Sequence, residues 1–254
     1  MPAITADRVV RRYEGRAFAA VHDSVLREWA LTIEVNGVRL LKLSCTPESL
    51  DELVLGYLRT DGLIRCAADV ESIQLDGQIA RVALRPAGAA AADAAAVVTD
   101  SGDYVDVPAL RQIAPERVAR APVWDPQVVL ANAQVLLGKS KLFRETGNVH
   151  SVMICRGPEL LYFCEDVGRY NALDKCVGQA LKDGTDLSDT CVYTTGRIPS
   201  GIVMKTVRAG IPMIVSRSAP TDAALAIADE YGLTVVGFAR GQRFNLYSNT
   251  GQAL

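Results

Sequence analysis

The sequence predicts an α/β protein in two parts: a small N-terminal ββαββ-like α+β domain, then a C-terminal α/β domain with a mixed, partly parallel sheet. Three observations carry this. Asn36-Gly37 and Asp76-Gly77 each sit between two apolar stretches, the mark of a tight hairpin turn with positive φ. From Val149 onward, short β-branched runs alternate with helical periodicities, the mark of βαβ units. Between these regions, Pro86 to Ala96 is a run of alanines with a proline and Gly88, which fits a connector. The expected division is therefore residues 1–86, a linker and loop region at 87–124, and residues 125–254.

Composition narrows the function. The 254 residues carry a net charge of −2, with no basic surplus of the kind that marks general nucleic-acid binding. No apolar stretch approaches the length of a membrane span. Met1 to Arg12 is polar and basic without an apolar centre, unlike a signal peptide. A cytoplasmic protein is expected, with no nucleic-acid or membrane partner. The six cysteines are scattered, form no C-x-x-C, and are accompanied by only two histidines, His22 and His150. A structural zinc site needs tighter clustering. Reduced and mostly buried thiols are expected, with no metal site.

Taken in order, residues 1 to about 24 carry little periodic signal. Leu31–Val35 and Val38–Leu43 flank Asn36-Gly37 as a hairpin. Thr46-Pro47-Glu48 opens a helix, with a capping hydroxyl and a proline in its first turn. Its buried stripe is Leu50, Leu53, Val54, Tyr57 and Leu58, and Gly62 follows its end. A second hairpin pairs Val70–Leu75 with Ile79–Leu84. Asp125-Pro126 starts a long helix running to about Glu145. Strands follow at Val149–Cys155, Leu160–Cys164, Thr190–Thr194, Met213–Ser216 and Leu233–Gly237. Helices are expected at 170–183, 199–209 and 221–231.

The chemistry gathers at the strand ends. Leu160–Cys164 runs into Glu165-Asp166-Val167-Gly168-Arg169-Tyr170-Asn171-Ala172-Leu173-Asp174-Lys175. Here a strand turns into a helix, the rim on which open α/β folds bind ligands. Later strands end in Thr195-Gly196-Arg197, in Ser216-Arg217-Ser218 and in Phe238-Ala239-Arg240-Gly241-Gln242-Arg243. Parallel strands would bring Arg169, Arg197, Arg217, Arg240 and Arg243 together. Guanidinium forks beside helix N-termini suit phosphate or pyrophosphate. The plainer alternative has Asp166 capping the helix, Arg169 paired with Asp174, and the other arginines on a solvated face.

The charged segment resembles the EDVGRHNALDK signature of the formate dehydrogenase accessory proteins, the FdhD/NarQ family. It matches at ten of eleven positions, with Tyr170 where histidine is usual. The T-P-x-x-L-x-E-L-x-x-G-Y-L helix after Cys45, the G-x-V-H-S context of His150, and Thr195-Gly196-Arg197 with Lys205 are similar as well. In that last stretch Gly201 replaces the usual glutamate. The segments 216–221 and 237–241 also match, so the resemblance spans roughly residues 28–249.

It implies a cytidine-deaminase-like, three-layer second domain, a homodimer, and a link to formate dehydrogenase. The implied activity passes sulfur from a cysteine desulfurase to the bis-molybdopterin guanine dinucleotide cofactor, for which GDP is a mimic. The implied cofactor-binding residues are Phe238, Ala239, Arg240, Gly241, Gln242 and Arg243, with Arg197, Ser218, Asp166, Arg169 and His150. The family's sulfur-bearing C-G-x-C-G loop corresponds here to Thr99–Tyr104, with Ser101 and Tyr104 at the two cysteine positions. A hydroxyl cannot hold a transferable persulfide. A non-catalytic carrier or chaperone of the cofactor is therefore the alternative function. A zinc deaminase activity has little support, because His150-Ser151-Val152 lacks the H-x-E glutamate and no P-C-x-x-C follows.

Overall fold

The structure is a computed structural model describing residues 3–85, 95–98, 104–107, 112–122 and 124–248, with only the backbone course given for 95–98 and 104–107. Strands β1 (Thr5–Glu14) and β2 (Ala17–Leu26) form an antiparallel ribbon of their own. This ribbon was not legible in the sequence, because its strands are exposed along most of their length and lack a buried period. Val9, Tyr13 and Phe18 stand out on it, each at least 60% exposed.

The first layered unit comprises β3 (Trp29–Val35), β4 (Val38–Cys45), helix α1 (Leu50–Thr60), β5 (Val70–Asp76) and β6 (Ile79–Leu84). Its sheet order is β4-β3-β6-β5, antiparallel at both hairpins and parallel between β3 and β6. Asn36 and Gly37 have φ of 49° and 80°, as the expected hairpin turn requires. Helix α1 covers one face with Leu50, Leu53, Val54 and Leu58 against Leu31, Ile33 and Val82. Its start differs from the expectation. The helix begins at Leu50 behind Ser49, which is left-handed (φ 52°) and makes no side-chain cap. The Thr46 hydroxyl is used elsewhere, as described below.

The connector contains strands β7 (Ala95–Val98) and β8 (Tyr104–Val107), paired antiparallel. Residues 112–122 form a strap over the body. The Ile113 amide donates to the Gly62 carbonyl at 2.7 Å, and the Val118 amide to that of Tyr231 at 3.0 Å. Residues 86–94 and the Ser101 position lie outside the described residues.

The second unit holds α2 (Pro126–Lys139), α3 (Lys141–Thr146), β9 (His150–Arg156), β10 (Glu159–Asp166), α4 (Arg169–Lys182), β11 (Cys191–Thr194), α5 (Ser200–Arg208), β12 (Met213–Ser216), α6 (Asp222–Tyr231), β13 (Thr234–Arg240) and β14 (Arg243–Leu246). Asp125 caps α2 through Gln127 N–H, with Pro126 in the first turn, as expected. The single long helix does not form. It breaks at Ser140, whose hydroxyl bonds the Glu165 carboxylate, while the Leu142 amide donates to the same carboxylate at 3.4 Å. The unpredicted β14 pairs with β13 across Gly241-Gln242.

The sheet order is β10-β9-β11-β12-β13-β14, parallel across β11, β12 and β13 and antiparallel elsewhere. Helices α4, α5 and α6 bury one face, with Leu173, Val177, Ile202, Val203, Ala224 and Ala228 on Ile154, Val192 and Val235. Helix α2 covers the other face, with Val129, Ala133 and Leu136 on Met153, Tyr193 and Val215. The mixed α/β class read from the sequence is the class observed. Among the described residues, no helix is long and apolar enough to cross a membrane.

Helices α1 and α4 join the two units at very close range. A Cβ on Gly56 would fall 1.8 Å from the Asp174 carbonyl oxygen, and one on Gly178 would fall 1.9 Å from that of Glu52. Only glycine allows the two backbones to meet this way.

Candidate functional site

The parallel strands β11, β12 and β13 end on one edge of the sheet, and the antiparallel β9 begins there. His150 pairs with Asp166 in register, and the Ser151 amide reaches the Thr195 hydroxyl at 3.1 Å. This edge gathers His150, Arg169, Arg197, Arg217, Ser218 and the Phe238–Arg243 turn.

Burial, and then the charges of Arg169 and Arg197, pull the His150 pKa below its ordinary value. The imidazole is therefore neutral at pH 7, between two guanidinium groups. A Cβ on Gly196 would touch the Arg169 stem at 3.4 Å and His150 Nδ1 at 3.5 Å, which puts those three side by side. Burial and then Arg240 lower the Arg217 pKa, so these two cations are also neighbours. Arg240 Nε donates to the Arg217 carbonyl at 2.6 Å, and its guanidinium lies 5.8 Å from the Phe238 ring centroid.

The local chain is bent to make this corner. The β13–β14 register shifts between Gly237 and Arg240, and such bulges re-aim side chains at sheet rims. Phe238 has φ 53°, a left-handed conformation that is costly for an aromatic residue. It is held there by its amide, which donates to the Ser218 carbonyl at 3.0 Å. Arg197, Arg240, Gly241, Gln242 and Arg243 are exposed, whereas His150, Ser218 and Phe238 are half-buried.

Two of the sequence-derived candidates do not face this corner. The Ala239 side chain is fully buried in the core beneath α2, so only its backbone borders the rim. Asp166 is completely buried and turned inward. Its Oδ2 accepts from the Thr46 amide (2.9 Å), the Thr46 hydroxyl (2.9 Å) and Lys175 Nζ (2.6 Å). Its Oδ1 accepts from the Gly168 amide and from Asn171 Nδ2, both at 2.8 Å. With five donors its lone pairs are occupied, so Asp166 is a strut rather than a ligand-binding group. The alternative ion pair of Arg169 with Asp174 is not formed either. Asp174 is bound by Thr60 and Lys205. Ser101 lies outside the described residues. Tyr104 opens β8.

Sequence reasoning missed a second feature beside the rim. A cleft of about 570 Å³ runs between β4, the end of α1 and the helices α4 and α5. Lys205 Nζ sits at its floor, 2.8 Å from Asp61 and 3.0 Å from Asp174. Burial pushes the Asp174 carboxyl up to about 6 against the pull of Lys205. Burial disfavours the Lys205 cation, but Asp174 and Asp61 outweigh it and raise its pKa. The buried Tyr57 side chain and Arg208 line the same cleft, and Arg208 Nε has no hydrogen-bond partner among the described residues. The available signal was Gly56 and Gly178, isolated glycines on apolar helix faces, which mark close packing.

The thiols follow burial. Cys45, Cys155, Cys164, Cys176 and Cys191 are buried and only Cys66 is exposed. Burial pushes Cys45 and Cys155 up to about 12, which leaves almost no thiolate at pH 7. Alkylation of the native protein is expected to label Cys66 alone, and alkylation in denaturant all six. Peptide mapping that finds a second thiol modified at a comparable native rate would contradict this burial.

Fold and rim together define a two-part mixed α/β protein whose strand ends gather guanidinium groups around a strained aromatic corner. A family model described as "FdhD/NarQ family" matches residues 26–254, and this chain belongs to that family. It is 35% identical to the sulfur carrier protein FdhD of Listeria innocua, over 96% of this chain and 97% of that protein. It is 32% identical to the sulfur carrier protein FdhD of Bacillus subtilis, over 97% and 96%. Its fold is similar to the crystal structure of a putative formate dehydrogenase accessory protein from Desulfotalea psychrophila. That likeness has a TM-score of 0.77 at 24% identity and covers 99% of this chain and all of the other.

Proposed function

We propose that this protein is an accessory factor in formate dehydrogenase maturation that holds the bis-molybdopterin guanine dinucleotide as cargo on the strand-end rim. The observation that carries the reading is the convergence of Arg169, Arg197, Arg217, Arg240 and His150 at one edge of the sheet, beside the exposed Arg243. The donor set fits such a cargo. Guanidinium forks bind phosphate oxygens with paired hydrogen bonds, and a dinucleotide of this kind carries two pyrophosphates. The Phe238 ring offers a flat apolar face beside them, suited to a base. The cleft beyond Arg169 extends the polar surface toward Arg208 and Tyr57. The name of the relatives, sulfur carrier protein, supports a role in carrying sulfur; sulfuration of the cofactor, a cysteine desulfurase as the sulfur source and a homodimer as the working form belong to the same proposal.

Binding of GDP, used as a mimic, tests this by calorimetry, with ADP for comparison. Arg240→Ala is expected to weaken GDP binding by about 1–3 kcal/mol, the usual loss for a charge-assisted hydrogen bond. Absence of GDP binding at millimolar concentration sinks the reading.

A second reading, a carrier that moves no sulfur, is favoured by one observation: five of the six thiols are buried and no C-x-x-C exists. Incubation with a cysteine desulfurase and cysteine, followed by intact mass, separates the two. A sulfur adduct supports relay, and its absence supports the carrier.

A further inference from the structure

Three loops meet at the rim, and one buried hydroxyl bonds two of them. Ser216 ends β12 opposite Thr194 of β11 and is 1% exposed. Its Oγ donates to the Gly196 carbonyl at 2.6 Å and accepts from the Ser218 amide at 2.9 Å. The first bond holds the loop that carries Arg197, the second the loop that carries Arg217. From that second loop the chain of bonds continues. The Ser218 carbonyl accepts from the Phe238 amide at 3.0 Å, and the Arg217 carbonyl accepts from Arg240 Nε at 2.6 Å. The junction is tight: a Cβ on Gly237 would fall 2.8 Å from the Tyr247 ring and 3.0 Å from the Ser218 carbonyl oxygen. A relay from Gly196 through Ser216 and Ser218 to Phe238 thus joins the ends of β11, β12 and β13.

We propose that Ser216 is a positioning residue of the rim, whose hydroxyl sets the arginine loops at a fixed distance from the Phe238 corner. A nucleoside diphosphate then meets guanidinium groups at its phosphates and the Phe238 ring at its base. This rests on the reading of the rim as a nucleotide site. The physical reason lies in where the backbone pairing stops. The β11–β12 ladder ends at Thr194 and Ser216, and pairing resumes at Ile198 and Pro220. Arg197 and Arg217 leave the chain in the gap, and the Ser216 hydroxyl spans it. Phe238 stands at φ 53°, a conformation that persists only where its surroundings impose it. A buried hydroxyl that both donates and accepts is directional, so it fixes the two loops relative to each other. Removing it strips the buried Gly196 carbonyl of its donor and lets the loops drift. A ligand that spans arginines and corner then loses more than one that touches the arginines alone.

The test is titration of the full-length chain and its variants with GDP and, separately, with inorganic pyrophosphate, beside thermal unfolding. Ser248→Ala is the control. Ser248 is also buried, at 3% exposed. Its Oγ makes the same two kinds of bond, to the Leu233 carbonyl at 2.6 Å and from the Val235 amide at 2.8 Å, but at the other end of β13. Both alanine variants are expected to lower the unfolding midpoint by similar amounts. Only Ser216→Ala is expected to lose GDP affinity, by about three- to tenfold, the scale of one net hydrogen bond. Its loss for pyrophosphate is expected to be smaller. Ser216→Cys, which keeps the shape but bonds weakly, is expected to fall between parent and alanine, and it carries the test if Ser216→Ala does not fold. Parent-like GDP binding by Ser216→Ala, or by Ser216→Cys in that case, overturns the proposal. So does an equal loss in Ser248→Ala, or a loss no greater for GDP than for pyrophosphate. A parent chain that binds no GDP overturns the rim reading itself, and this proposal with it.

Discussion

Gly56→Val or Gly178→Val is expected to leave little folded protein. Where the Gly56 Cβ would stand, the Asp174 carbonyl oxygen is 1.8 Å away, and the Gly178 Cβ would meet backbone of Glu52. Backbone cannot swing aside as a side chain can, so α1 and α4 would have to separate. The same separation pulls apart the Asp61–Lys205 ion pair, which crosses this contact, and draws Thr46 away from the Asp166–Lys175 pair. Overpacking commonly costs 1–3 kcal/mol. With backbone on the other side, the Asp61–Lys205 pair lost and Thr46 drawn off the Asp166–Lys175 pair, about 3 kcal/mol or more is expected. Thermal unfolding of the soluble fraction measures it. Gly138→Ala is the control, because nothing lies within 4 Å of a Cβ there, and helix propensity predicts a gain of about 0.5–1 kcal/mol. A Gly178→Val protein as stable as the control would show that the helices are not in the contact described.

Asp166→Ala is expected to cost about 3–5 kcal/mol in urea unfolding. The substitution leaves the Lys175 ammonium, only 2% exposed, without its carboxylate, and breaking one side of a buried pair carries that cost. It also strips the acceptor from the Thr46 amide, the Gly168 amide and Asn171. Lys175→Met should cost less, because Asp166 then keeps four of its five donors. The double variant should cost less than the sum of the two, since its second change removes the charge exposed by the first. A loss below about 1 kcal/mol for Asp166→Ala would contradict the buried geometry. GDP affinity is a useful second reading. Since Asp166 is turned inward and not toward the rim, any folded Asp166→Asn protein should bind GDP more nearly like the parent than Arg240→Ala does.

The sequence by itself determined most elements of the two layered units and the mixed α/β class, but not the β1–β2 ribbon, the helix break at Ser140, β14 or the strand orders. Asn36-Gly37 set the first hairpin of the first unit, because few other dipeptides accept two positive φ values, whereas the second turn falls one residue later than expected, on Gly77-Gln78, with only Gly77 at positive φ. The alternation of apolar runs with helical stripes after Val149 determined the helix-covered, partly parallel sheet. Parallel strands share a direction, so their polar ends had to meet on one edge, and the arginine rim was legible before any coordinate. What only the tertiary structure decided is which polar group meets which. Thr46 reads as a helix cap, yet it bonds Asp166, 120 residues away, and α1 starts without it. Asp166 reads as a rim ligand, yet Lys175 and Asn171 turn it inward. Ser140 lies in a continuous helical pattern, yet the Glu165 carboxylate breaks the helix there. Tyr170 and Gly201 read as two unrelated departures, yet a Cβ on Gly201 would meet the Tyr170 ring. Hydrophobic periodicity reports which face of an element is buried, since that depends on each residue alone. Pairing among buried polar groups depends on partners brought together from distant segments. Leaving such a group unsatisfied costs more than forming a local cap gains, so the long-range partner prevails.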